Sequence, residues 1–438
     1  MFVGRFMAMQ GLKAAMAREV PDRVILPFFE GLQNSALQDT DEVAEPDADG
    51  MIAMPFLHNM DPDIKATWDL SDFDPSNPND EPNQNIKIMA LILATNAEST
   101  VGLHAWSLVE YSLRRLGFTN VVHRNFELSE QVNHPAMAFG IHTEKVAGKS
   151  LVACVCRGSS SFVDFISDGL AEPGGFEDAG VNATNALRAY CASQGLTKQN
   201  TILFICGHSY GASTASLVGI SSTDLAERDS IFCYSYATPN YIRHGMTGEG
   251  MKMFSFNSNE DVVPQVPVGP NLDKTGKVYT FDRLDLELNH PDQYARFLRL
   301  YKHYRDCDYD KDSDYLPDAY TFKPYVKDPV NVEIIRNHMP YTYMPFLLCE
   351  LTDEVMETYI VDVPSAEDKF ASWTMYVGEV YRLPLTGPGL FSWESSNAAV
   401  VNVNKMGMVS AKAAGEAILT LTSPNEDQMK VKVSVLDA

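Results

Sequence analysis

Residues 201–220 read TILFICGHSYGASTASLVGI. Thr201–Cys206 is a short β-branched and apolar run, the texture of a strand buried on both faces. Gly207-His208-Ser209-Tyr210-Gly211 follows, and Ala212–Gly219, small and mostly apolar, reads as a helix. Strand, G-x-S-x-G and helix in succession form the context of a nucleophile elbow, a sharp turn that exposes a serine hydroxyl above a sheet edge. The flanking glycines keep that turn clear of neighbouring backbone. The helix starting behind Ser209 aims its first N–H groups and its dipole at that position, which favours negative charge there. A glycine-rich turn with an incidental serine has the same five letters. The correct strand and helix on either side argue for a nucleophile.

At 438 residues the chain is long for one domain and suggests two or three. Apolar residues make up 45% of it, enough for a large core. With 34 Lys and Arg against 58 Asp and Glu, the formal charge of −24 opposes approach to nucleic acid or an anionic membrane, so neither is expected as a main partner. No apolar run approaches the length of a membrane span. The N-terminal MFVGRFMAMQGLKAAMAREV has Arg5 and Lys13 within its apolar stretch and no clear cleavage site, so no signal peptide is legible. The cysteine count is odd, at seven, and Cys154, Cys156, Cys206 and Cys233 fall in expected core strands. There a thiol behaves as a small hydrophobe, and mostly free thiols are expected.

In chain order, Phe6–Arg18 and Phe28–Leu37 have amphipathic spacing, and Asp39–Gly50 is an acidic linker or exposed loop. Met51–Trp68 has no clear assignment, and Asp69–Asn85 is rich in Pro, Asp and Asn and reads as irregular. Helices are expected at Ile86–Ala97, at Leu103–Leu116 with Gly117 as its C-cap, at Val181–Gln194 and at Asp292–Tyr304. Further strands are expected at Asn120–Phe126, Ala136–His142, Leu151–Cys156, Ser230–Ala237 and Met251–Phe256. Such alternation implies a mostly parallel sheet covered on both faces, an α/β fold.

Four motifs occur in order: Cys156–Leu170, the elbow, Ala237-Thr238-Pro239, and Asp261-Val262-Val263-Pro264-Gln265-Val266-Pro267. Together they resemble the class 3 (fungal-type) lipase family, from about Ile86 to Tyr343. The resemblance implies an α/β-hydrolase fold and hydrolysis of esters, typically of acylglycerols. Tyr210 replaces a common Leu, Ala212 a common Gly and Phe165 a common Trp. These departures bear on the lid and on substrate preference.

A serine nucleophile needs a base and a group to orient that base, here in the order Ser, Asp, His. Asp261 suits the acid, since it follows the strand Met251–Phe256 near its C-terminal end. Among the histidines, only His290, His303 and His338 follow Asp261. The resemblance favours His338, because the family's base lies in a similar His-x-x-Tyr context; His303, on a helix face, is the runner-up. His208 is locked within the elbow with its ring turned from Ser209. The oxyanion needs two backbone donors. One is the N–H of Tyr210, directly after the nucleophile, and the resemblance supplies the other at Ser159. By the same resemblance, the segment after Ser159 is a lid with Phe162, Phe165 and Ile166 as its apolar face. A permanently packed amphipathic helix is the other reading. No cofactor is expected. Alternating carboxylates at Asp310, Asp312, Asp314 and Asp318 are candidates for calcium, but Tyr315 stands where a calcium loop wants Gly and no bidentate Glu follows.

After about Glu357 the pattern changes to period two, as in Val401–Val403, Ala417–Leu421 and Val431–Val435, with turns at Gly387–Gly389, Gly407 and Gly415. This is a small all-β sandwich by pattern. Val377-Gly378-Glu379, Ser392–Asn397 and Gly407–Ala411 resemble a bacterial immunoglobulin-like domain of group 2, with Trp393 as its core residue. The resemblance implies a secreted or cell-surface bacterial enzyme, with cell-surface or carbohydrate contact through this module. The resulting division is 1–50, an N-terminal extension; 51–357, the α/β-hydrolase; and 358–438, the immunoglobulin-like domain. The functional expectation is a carboxylic-ester hydrolase acting through an acyl-enzyme on a lipid or small ester, with contact to a lipid interface. Two alternatives stay open: an esterase for acyl groups on polysaccharide, and an inactive surface binding protein.

Overall fold

A computed structural model of the chain describes residues 43–56, 64–77, 81–98, 105–126, 134–158, 175–243, 248–266, 272–305, 337–361, 371–382, 392–404, 408–422 and 428–436. The unit Glu42–Asp362 is described first. Its strands are β1 (Met51–Met54), β2 (Ile64–Thr67), β3 (Phe118–Arg124), β4 (Met137–Val146), β5 (Lys149–Cys156), β6 (Thr201–His208), β7 (Ile231–Tyr236), β8 (Ile242–Arg243), β9 (Lys252–Ser258), β10 (Leu272–Asp273) and β11 (Lys277–Phe281). Its helices are α1 (Gln84–Glu98), α2 (Ala105–Arg115), α3 (Gly175–Ser193), α4 (Tyr210–Ser221), α5 (Arg283–Asn289), α6 (Pro291–Arg305), α7 (Pro340–Leu348) and α8 (Asp353–Tyr359).

A seven-stranded sheet in the order β11-β9-β7-β6-β5-β4-β3 forms the centre. The strands from β5 to β11 are parallel, while β3 and β4 join antiparallel at one edge. Side chains alternate across a strand, and each central strand feeds two cores in turn. From β6, Ile202, Phe204 and Cys206 enter the core shared with α1, while Leu203 and Ile205 enter the one shared with α3 and α4. β5 and β7 divide likewise, with Leu151, Ala153 and Val155 against Val152, Cys154 and Cys156, and Phe232, Tyr234 and Tyr236 against Ile231 and Cys233. That is why Leu151–Cys156, Ile202–Cys206 and Ile231–Tyr234 are apolar without a break. α1 lies against the sheet and also touches α2 and α7, so it is buried along nearly its whole length.

Parallel strands end at one edge, and this places the chemistry. The C-terminal ends of β5, β6 and β9 lead into Arg157, Ser209 and Asp261 respectively. An aromatic row then ties α7 to the sheet: Phe256 lies 5.3 Å from Tyr236 and 5.4 Å from Tyr279, and Phe281 stacks on Phe346 of α7 at 5.0 Å.

Several segments differ from the sequence reading. Met51–Trp68, unassigned by pattern, supplies β1 and β2, which pair antiparallel. The irregular Asp69–Asn85 contains a short helical turn, Leu70–Phe73, opened by Asp69, whose side chain accepts from Ser71 N–H. Phe73 there is fully buried, a tertiary contact that Pro and Asp content gives no hint of. α3 starts at Gly175, with Glu177 and Asp178 in its first turn, six residues before the apolar periodicity becomes visible. Residues 43–50 are an exposed loop apart from buried Ala44. The unit runs to Asp362, past the expected end at 357, because α8 completes it and Ile360 bridges back to Ile64. The two expected N-terminal helices, Phe6–Arg18 and Phe28–Leu37, lie outside the described residues. Six cysteines, from Cys154 to Cys349, are buried free thiols, and Cys307 lies outside the described residues.

In the C-terminal unit, beyond Val363, strands β12 (Ala371–Tyr376), β13 (Val380–Arg382), β14 (Ser392–Ser395), β15 (Val401–Val403), β16 (Met408–Ala411), β17 (Gly415–Thr422) and β18 (Gln428–Leu436) form two sheets. Their orders are β12-β18-β17-β14 and β13-β16-β15. Met375, Val401, Val409, Leu419 and Val433 are buried, whereas Trp393, expected as the core residue, is half-buried. Gly415 opens β17 rather than forming a turn of its own, and Gly387–Gly389 and Gly407 lie outside the described residues. No described helix is long and apolar enough to cross a membrane.

Phe204 sits 5.1 Å from Phe73 and 5.9 Å from Trp68, fully buried in β6. Phe204→Ala is expected to lower the free energy of unfolding by about 3–5 kcal/mol, read by urea denaturation.

Candidate active site

Ser209 leaves β6 at φ 58°, ψ −127°, a left-handed backbone that L-residues rarely adopt. Strain of this kind costs about 1–3 kcal/mol and persists only where the surroundings over-determine it. Here they do. The Ser209 N–H donates to the Tyr236 carbonyl at 2.9 Å, and α4 begins at the next residue. A Cβ at Gly207 would lie 2.3 Å from the Gly211 carbonyl oxygen, and one at Gly211 would lie 2.3 Å from the Cys156 carbonyl oxygen. Both contacts are with backbone, so the turn closes only with glycine at both places.

Ser209 Oγ donates to His338 Nε2 at 2.8 Å. His338 Nδ1 stands 2.9 Å from Asp261 Oδ2. A carboxylate only accepts, so Nδ1 carries the hydrogen and the Nε2 lone pair faces the serine. All three residues are buried, Asp261 completely. Asp261 is held by two more donors: the N–H of Val263 to Oδ1 at 2.9 Å, and the hydroxyl of Tyr343 to Oδ2 at 2.7 Å. Burial first, and then the Asp261 charge, pushes the Tyr343 phenol well above its usual range, so it stays a donor. This arrangement can draw a proton from Ser209 Oγ while the carboxylate steadies the imidazolium that forms.

The neighbourhood is apolar on one side. Phe176, Ala179, Tyr210, Leu217, Tyr241 and Val263 form a buried cluster next to the elbow, with the Phe176 and Tyr210 rings 5.7 Å apart. On the other side His208 meets Glu98 and the backbone of His338. Burial works against a charged His208, but the Glu98 charge and hydrogen bond, with Asp261 adding, outweigh it and raise its pKa.

Ser209, Asp261 and His338, chosen from sequence, thus come together from three separated stretches. Tyr210 is the first residue of α4, two residues before the helix start expected at Ala212. Ser159, Phe162, Phe165 and Ile166 lie outside the described residues, as do Asp310, Asp312, Asp314 and Asp318. Among the described residues no cluster of three or more His, Cys, Asp or Glu could hold a metal ion. His303 sits on α6 with its ring 5.1 Å from Tyr304, and it is His338 that meets Ser209. Sequence reasoning missed Tyr343, Glu98 and the partners of His208. The run Tyr341-Thr342-Tyr343 offered three hydroxyls without marking which one reaches Asp261. Glu98, 110 residues before His208, carried no motif at all.

Residues 154–270, from the end of β5 through Asp261, match the model of the lipase (class 3) family. Among solved structures the chain is similar to the triacylglyceride lipase of Rhizomucor miehei, at 17% identity over 44% of this chain and 78% of that one, with a TM-score of 0.35. It is also similar to the lipase of Rhizopus microsporus var. chinensis, at 15% identity over 48% and 82%, with a TM-score of 0.35. A bacterial Ig-like domain containing GH10 xylanase from termite gut is similar at 23% identity over 15% of this chain and 18% of that one, with a TM-score of 0.13. No curated protein matches the chain. The α/β unit is that of an enzyme, a lipase-like serine hydrolase acting on carboxylic esters.

Removing the hydroxyl in Tyr343→Phe takes a hydrogen bond from a fully buried carboxylate. The variant is expected to lose about 1.5–3 kcal/mol of stability by denaturant titration.

Proposed function

We propose that the chain hydrolyses lipid esters, acylglycerols in particular, with Ser209 as nucleophile, His338 as general base and acid, and Asp261 as the group that orients His338. The observation that carries this reading is the continuous contact from Ser209 Oγ to His338 Nε2 at 2.8 Å and from His338 Nδ1 to Asp261 at 2.9 Å. His338 takes the hydroxyl proton as Ser209 Oγ attacks the ester carbonyl. The oxyanion is received by the N–H of Tyr210 and that of Ser159. His338 returns the proton to the departing alcohol, leaving an acyl-enzyme. Water activated by His338 then releases the acid. Nucleophile, base, orienting carboxylate and oxyanion donors in this cycle are all protein groups, so the reading includes no cofactor.

The apolar cluster beside the elbow supports an apolar acyl chain, because Tyr210 and Val263 flank the nucleophile and the carboxylate in sequence. The segment with Phe162, Phe165 and Ile166 is proposed as a lid that opens at a lipid interface. The C-terminal strands are proposed as an immunoglobulin-like module of bacterial group 2 on an exported or surface-held enzyme. No ligand is assigned to that module.

Turnover of p-nitrophenyl esters of increasing acyl length tests the reading. Ser209→Ala and His338→Ala are each expected to lower kcat by about 10⁴-fold or more. Wild type is expected to prefer long chains and to gain activity on emulsified substrate. Undiminished turnover by Ser209→Ala would refute the mechanism, and a sharp short-chain optimum would move the substrate class to acylated polysaccharide.

A further inference from the structure

Behind the proposed base lies a second charged pair that the triad does not use. His208 Nδ1 stands 3.0 and 3.1 Å from the two carboxylate oxygens of Glu98, the last residue of α1. Its Nε2 is 2.8 Å from the carbonyl oxygen of His338. A carboxylate and a carbonyl can only accept, so both ring nitrogens donate, and only the imidazolium has two N–H groups. The two side chains are 2% and 11% exposed.

We propose that Glu98 and His208 are positioning residues for ester hydrolysis: the buried imidazolium, held by the carboxylate, grips the backbone carbonyl of His338 and so sets the base against Ser209 Oγ. The inference rests on the triad reading above. The His208 and His338 rings lie 4.8 Å apart at a 39° tilt, so neither turns without displacing the other. The same carboxylate supports the opposite wall. A Cβ on Gly158 would lie 1.9 Å from Glu98 Oε1, so the chain leaving β5 rests directly on that oxygen. Any side chain there would push the Glu98 carboxylate aside. One carboxylate therefore stands behind both the base and the backbone leading to Ser159.

The charged and titratable groups around the pair come from four places. Glu98 reaches it from α1, Asp261 from beyond β9, and His338 and Tyr343 from the segment around α7. Arg157, after β5, faces Glu98; burial works against its charge and Glu98 favours it. Burial likewise opposes a charged His208, but Glu98 prevails and lifts its titration above the ordinary 6.5. As pH rises through that titration, the stronger partner Glu98 keeps the Nδ1 hydrogen. The Nε2 lone pair then faces the His338 carbonyl oxygen, and the grip turns to repulsion. The grip is complete below the ordinary value and disappears above the raised one, so kcat falls on the alkaline side.

Three variants of the full chain test this, with kcat expressed per site titrated by a p-nitrophenyl phosphonate. His208→Phe removes the donor and is expected to lower kcat by about a hundredfold with KM changed by less than about twofold. His208→Gln, whose amide can donate to the same carbonyl, should regain about tenfold of that loss. In Glu98→Gln the new amide donates to Nδ1 and leaves the hydrogen on Nε2 of a neutral ring, so the alkaline fall in kcat should vanish. Wild-type kcat in folded His208→Phe, or His208→Gln no better than His208→Phe, would overturn the proposal. So would an alkaline limb in Glu98→Gln that superimposes on wild type. If His208→Phe does not fold, the alkaline limb of Glu98→Gln decides. Retained turnover in Ser209→Ala would instead defeat the triad reading itself, whereas an inert Ser209→Ala beside wild-type His208 variants defeats this inference alone.

Discussion

The close approach of two backbones at the end of β6 governs the rest of the structure. Ser209 can hold φ 58° only because Gly207 and Gly211 let the turn fold onto itself and onto the Cys156 carbonyl. That contact joins the end of β5 to the start of α4, so the nucleophile, the helix behind it and the chain leading to Ser159 are fixed as one piece. The strain must be balanced by packing around it. β6 is buried at all eight positions, with a core on each face, and a strand so enclosed cannot relax its terminal turn by shifting.

A buried carboxylate, Asp261, and a part-buried one, Glu98, then organise the polar groups in a setting where an unpaired charge would be costly. Asp261 receives the Val263 N–H, the Tyr343 hydroxyl and His338 Nδ1. Glu98 receives His208. Between them His338 is held at its ring by Asp261 and at its backbone by His208. The aromatic stack of Phe281 on Phe346 performs the apolar part of the same task by seating α7, the helix that begins just after the base. Precise placement of a base thus depends on contacts remote from the reacting atoms.

The central layers were legible in the sequence because their periodicities are strong. β5, β6 and β7 contain continuous apolar runs, as strands buried on both faces must, α1 precedes them with helical texture and α4 follows β6 with the same. β1, β2 and β11 were not legible. They are short or lie at an edge, and burial at such places is decided by what covers them. Ser209 was readable from its glycines and flanks, Asp261 from its position after a strand, and His338 only through a family resemblance. Tyr343 and Glu98 were unreadable, since a single hydroxyl or carboxylate leaves no periodic trace. In the C-terminal unit the period-two pattern located the strands, while the half-burial of Trp393 left no mark in that pattern.

By itself the sequence determined where the chain must turn sharply, which strands have two covered faces, and which residue types are available as nucleophile, acid and base. These are local properties, set by steric limits on φ and by alternation along a strand. Only the tertiary structure decided which histidine meets Ser209, which tyrosine steadies Asp261, and that Glu98 lies behind the base. Each of those pairs joins residues 82 to 129 positions apart, or 110 in the case of Glu98 and His208. Contacts at such separation are set by the packing of whole elements, because a side chain's partner is whatever the folded layers bring within hydrogen-bond reach.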